Sequence, residues 1–110
     1  MAYDETLAAR IRDRIGAAPD LSEKKMFGGL AFLIGGNMAV AVSGQGGILV
    51  RVDSDESDAL VSATPAAPME MRGKEMAGWL RVAGDDVASG AALAEWVDRG
   101  VAYARSLPAK

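Results

Sequence analysis

A chain of 110 residues, half of them hydrophobic and a quarter charged, has the composition of a folded protein and room for one small core, so residues 1–110 read as a single domain. It contains neither cysteine nor histidine, which excludes disulfides, thiolate nucleophiles, cysteine metal sites and imidazole acid–base chemistry. A net charge of −3 sets the global field against nucleic acid and anionic membrane, so direct nucleic-acid binding is disfavoured.

The residues from Met1 to Arg14 mix acids and arginines without the apolar segment of a signal peptide, an expectation of cytoplasmic localisation. Within them, Leu7, Ala8, Ile11 and Ile15 lie three or four apart, predicting an amphipathic helix of about 13 residues that Gly16 and Pro19 end.

The window from Met26 to Val50 carries no charge, and its length raises the question of a membrane helix, which needs about 20 mostly apolar residues. Gly28, Gly29, Gly35, Gly36, Gly44, Gly46 and Gly47 cut it into strand-sized pieces, so no membrane span is expected. Leu30, Phe32 and Ile34 alternate with smaller or opposite-facing residues, as do Met38, Val40 and Val42, then Ile48, Val50 and Val52. This period of two predicts a three-strand antiparallel meander with these bulky residues on one face.

Asp53 followed three positions later by Glu56 resembles a capping box, opening a short helix through Ala59, Leu60 and Ala63. Met69 and Met71 then read as one side of a strand, Gly73-Lys74 as a turn, and Met76 to Val82 as the return strand. Ser89 is the expected N-cap of a last helix whose stripe is Ala92, Leu93, Trp96, Val97, Val101 and Ala104. The order α-β-β-β-α-β-β-α predicts a two-layer α+β fold with an antiparallel sheet.

The string Lys24-Lys25-Met26-Phe27-Gly28-Gly29-Leu30-Ala31-Phe32, followed by Gly36-Asn37-Met38, resembles the signature of the N-terminal domain of the TfoX/Sxy family. Arg51, Met69, Gly73, Met76-Ala77-Gly78-Trp79, Trp96-Val97 and Arg105-Ser106-Leu107-Pro108 fit the same pattern along nearly the whole chain. The resemblance implies an α+β fold of the secretion-chaperone type and a link to competence regulation, in which longer members act as transcriptional co-regulators. It implies a stand-alone copy without the C-terminal helical domain of those members, and it supplies no catalytic residues.

Gly28-Gly29 after Lys24-Lys25 has two readings, a backbone nest for phosphate or carboxylate and a tight bend that requires glycine. The absence of a GxGxxG or Walker pattern favours the bend. Arg51, Lys74 and Trp79 would complete a small-ligand or anion site with Lys24, Lys25, Gly28 and Gly29 if the fold converged them. Met69, Met71 and Met76 read as packing rather than copper ligands, since no histidine or cysteine completes a set, and neither metal nor cofactor is expected.

Opposite the bulky face of the meander, Ala31, Leu33, Ala39, Ala41 and Leu49 form a small, neutral surface where a solvated sheet would carry polar residues. Either a helix or a second copy of the chain should cover it, and these five are the expected interface residues. The leading expectation is a non-catalytic regulatory or interaction module, a homodimer with a possible regulatory protein partner. A small-ligand or anion-binding domain is the alternative. An enzyme ranks third, because no nucleophile and base stand at a meaningful spacing.

Overall fold

The computed structural model describes every residue except Met1, Ala2, Phe27, Gln45, Arg72 and Lys110, and describes Met71 through its backbone alone. Helix α1 spans Glu5–Ile15. Asp4 caps it by accepting from the Leu7 amide at 3.1 Å, with Glu5 in the first turn and Arg12 and Arg14 in the last, each charge on the favourable end of the helix dipole.

Four strands follow: β1 Leu21–Met26, β2 Gly29–Ile34, β3 Asn37–Val42 and β4 Ile48–Arg51. Helix α2 covers Ser57–Ala63, strands β5 and β6 cover Ala67–Met71 and Lys74–Val82, and a short 3-10 helix at Gly84–Val87 leads into α3, Gly90–Ser106. The expected order thus gains a strand. All six strands join one antiparallel sheet in the order β1-β2-β3-β4-β6-β5. The added strand β1 lies at an edge and is mostly exposed, so its Ser22-Glu23-Lys24-Lys25 run carries no alternation to read.

The expected capping box does not form. Glu56 is the N-cap of α2 without a side-chain bond, while the Asp53 carboxylate accepts from the Asp55 amide at 2.9 Å in a local turn. Ser89 does cap α3, accepting from the Ala92 amide at 3.1 Å.

One face of the sheet is the main core. Leu30, Phe32, Val40, Val42, Ile48, Val50, Leu80 and Val82 are buried there with Leu7, Ala8 and Ile11 of α1 and Leu93, Trp96 and Val97 of α3, and Leu60 and Val61 of α2 pack against the same cluster. Two irregularities shape the sheet. Between β2 and β3 the register passes from Phe32↔Val40 to Leu33↔Met38, leaving Ala39 as one extra residue, a β-bulge. Between β5 and β6 it passes from Pro68↔Leu80 to Met69↔Met76, leaving Ala77, Gly78 and Trp79 without β5 partners.

The first bulge changes the predicted faces. Val40 and Val42 point to the helices, but Met38 joins Ala31, Ala41 and Leu49 on the opposite side. Ala39, expected among those interface residues, instead packs on the helical side with Ile34 and Ala104 of α3. An inserted residue reverses the alternation of everything beyond it, and nothing in the run Met38-Ala39-Val40 announces where that happens.

Candidate functional site

All three helices contribute to the main core, which leaves the other face of the sheet without a helix over it. Its cross-strand rows follow from the register. One runs Lys24, Ala31, Ala41, Leu49, Arg81 and Ala67 from β1 to β5. A neighbouring stretch carries Ser22, Leu33 and Met38, with Arg51 paired to Trp79 farther along.

The floor of this face is dry. Ala31 is 0 % exposed, and Met38, Ala41 and Leu49 are about as well covered at 5 to 6 %. No helix covers them, which removes the first of the two coverings expected for this face. Half-buried Met26, Leu33, Met69 and Trp79 from the same face lean over the small residues. Alanine at Ala31 and Ala41 leaves the space those long side chains fill, and methionine's flexible thioether suits an irregular gap. Larger apolar groups therefore form the upper surface.

At the end of β4 the Arg51 guanidinium lies 5.0 Å from the centroid of the Trp79 ring and 5.8 Å from that of Tyr103 on α3. Both are within cation–π range. The same strand register aims Arg81 onto this face, where its guanidinium donates to the Ser43 hydroxyl at 3.3 Å. Lys24 is exposed on β1 and Lys74 is exposed at the start of β6, opposite Met71.

The residues expected to build an anion site are scattered. Gly28, at φ 73°, lies in the tight turn of the β1–β2 hairpin, which is the bend reading of the glycine pair. Gly29 allows close approach of strands: a Cβ there would stand 2.0 Å from the Val42 carbonyl oxygen. Lys24 and Lys25 alternate to opposite faces, across from Ala31 and Leu30. Arg51 is three strands away from Lys24 in the sheet order, and Lys74 is on a further strand. Of the seven, the fold brings Arg51 and Trp79 into contact.

An open groove of about 390 Å³ lies on the helical side, lined by Val52, Asp53, Glu56, Arg99, Ala102, Tyr103 and Ser106. Arg99 packs 4.7 Å from the Trp96 ring centroid and donates to Glu95 at 3.3 Å, while its Nη1 is buried without a hydrogen-bond partner among the described residues. Two carboxylates, Asp53 and Glu56, share this groove with one guanidinium, Arg99, so it offers a ligand charges of both signs. Among the described residues no three carboxylates are grouped as metal ligands would be, and no helix is long and apolar enough to cross a membrane.

Sequence reasoning missed Met26 and Met38 as members of the open face. The parity of Met26, and of Lys24 with it, becomes legible once residues 21–26 are taken as a strand, whereas the placement of Met38 depends on a bulge with no marker in the residues around it.

The chain is thus an α+β domain, a helix-backed antiparallel sheet with one apolar, cation-bearing face that no helix covers. The model of the TfoX N-terminal domain matches residues 13–104, and the chain belongs to that family. Neither a curated protein nor a solved structure matches it.

Proposed function

We propose that the chain is a non-catalytic interaction module that works through the open face of its sheet, engaging a regulatory protein partner. The observation that carries this reading is the composition of that face: Met26, Leu33, Met38, Leu49, Met69 and Trp79 occupy positions where a solvated antiparallel sheet alternates to polar side chains. Apolar surface rimmed by charge is characteristic of protein contact sites, with tryptophan and methionine enriched in their centres.

The test is selection of binding peptides from a random-sequence display library against the immobilised chain, followed by NMR shift mapping of the bound peptides. Shifts centred on Leu33, Leu49 and Trp79 are the expected result. Failure to select any binder, or binders that map to the helical side, would overturn the proposal.

A further inference from the structure

The charges of the sheet are sorted by face. Glu23 pairs in register with Phe32, on the helical side, and Glu70 pairs with Glu75 on the side opposite Met69 and Met76. Every strand carboxylate therefore avoids the open face. Among the described strand bases, Lys25 alone pairs with a helix-facing residue, Leu30. Lys24, Lys74 and Arg81 alternate onto the open face, as does Arg51 by register, with its guanidinium at the end of β4 between the rings of Trp79 and of Tyr103 on α3. A chain with net charge −3 thus turns cations and no strand carboxylate toward whatever meets this surface.

Their spacing is informative as well. Lys24 and Arg81 bound one cross-strand row with Ala31, Ala41 and Leu49 between them. Four strand intervals of about 4.8 Å put the two cations roughly 19 Å apart. An α-helix with its side chains is about 10–12 Å across, so one helix fits between them with room for a carboxylate on each flank.

Building on the interaction-module reading above, we infer that the occupant is an acidic amphipathic helix of a partner protein. Its apolar stripe lies over Met26, Leu33, Met69 and Trp79, the half-buried side chains packed on Ala31, Ala41 and Leu49, and its Asp or Glu flanks pair with Lys24 on one side and with Arg51 and Arg81 on the other. The methionines around the floor adapt to different apolar residues in the stripe.

A second copy of the chain fits less well. Two open faces brought together about a two-fold axis would meet cations with cations and supply no carboxylate from either sheet. A single nucleic-acid strand is also a poorer match, since such platforms stack successive bases on several aromatic rings and Trp79 is the one described ring on this face.

The test compares two fluorescein-labelled helical peptides with the same leucine stripe, one flanked by glutamates and one by lysines, by anisotropy against the whole chain. The glutamate peptide is expected to bind at least about tenfold more tightly and to weaken with added salt. Lys24→Glu, at an exposed position, and Arg51→Gln, which keeps much of the stem, are each expected to weaken it by about tenfold, with circular dichroism confirming the fold.

Equal binding of both peptides at the open face would sink the charge argument while leaving the interaction module standing. Preference for oligo(dT), or a concentration-dependent dimer that excludes the peptide, would replace the partner helix with nucleic acid or a second copy. Binding of neither peptide, together with no library binder at this face, would remove both readings.

Discussion

Gly100 of α3 lies against the backbone of Ala39, the inserted residue of the β3 bulge: a Cβ at position 100 would stand 2.4 Å from the Ala39 carbonyl oxygen and 3.3 Å from Cγ1 of Val50. The bulge pushes the strand toward the helix, and glycine lets the helix stay close. Gly100→Ala should therefore destabilise the chain by about 1–3 kcal/mol through overpacking, despite the roughly 0.5–1 kcal/mol that alanine gains in a helix interior. Urea unfolding measures the balance. An unchanged or raised midpoint would mean that α3 does not sit this near the sheet.

Gly78 occupies the other irregularity. Its φ of 83° is left-handed, its carbonyl accepts from the Val52 amide at 2.8 Å, and its own amide donates to the buried Ser57 hydroxyl at 3.3 Å. A Cβ would meet the Val52 carbonyl oxygen at 2.9 Å. Gly78→Ala should cost about 1–2 kcal/mol from backbone conformation, plus the displacement that contact requires. Ser57→Ala leaves a buried amide without its acceptor and should cost about 1–3 kcal/mol. Because both changes act on one junction, the double variant should lose less than the sum, and strict additivity in unfolding free energy would refute the link.

These two glycines mark the boundary of what can be read from the residues alone. Strands with an apolar side, Gly29–Ile34, Asn37–Val42 and Ile48–Arg51, declare themselves through alternation, and Ser89 announces α3 through its cap. Edge strand β1 has solvent on most of its side chains, so burial imposes no pattern on it. The open face was legible through Ala31, Leu33, Ala41 and Leu49, and was misdrawn at Ala39 and Met38 because no local residue marks the bulge, whose Ala39 packs against Gly100 of a distant helix. The sorting of charge became visible only with the register, since Lys24 and Arg81 are 57 positions apart in sequence yet bound one cross-strand row.

Three ion pairs tie the helices to each other and to the β1 region, and they make stability depend on acid. Arg12 donates to both oxygens of Glu23, Arg14 to both of Asp98, and Arg105 to both of Asp20. Those hydrogen bonds, above all, hold the three carboxyls below their usual range. Lowered folded values mean that the unfolded chain takes up protons first as pH falls. The stabilisation is complete above the unfolded carboxylate pKa of about 4 and is lost as pH drops through the folded values. Thermal midpoints should be level from about pH 5 to 8 and fall below about pH 4, modestly because the pairs are solvent-screened. Asp98→Asn should make the acid limb shallower, and an unaltered limb would show that the Arg14 pair contributes nothing.

The Arg51–Trp79 contact offers a direct reading of the open face. Trp96 is 5 % exposed in the main core, whereas Trp79 is half-buried among Met38, Leu49 and Met69 with Arg51 over its ring. Acrylamide should consequently quench two populations, one protected and one accessible, and Trp79→Phe should remove the accessible one. Arg51→Met keeps an unbranched stem but removes the cation, so it should cost about 0.5–1 kcal/mol and raise the quenching rate of Trp79. If a partner helix settles on this face, it covers the same ring. The glutamate-flanked peptide should then shield Trp79 from acrylamide while leaving the Trp96 component unchanged, and quenching indifferent to saturating peptide would place its binding elsewhere on the molecule.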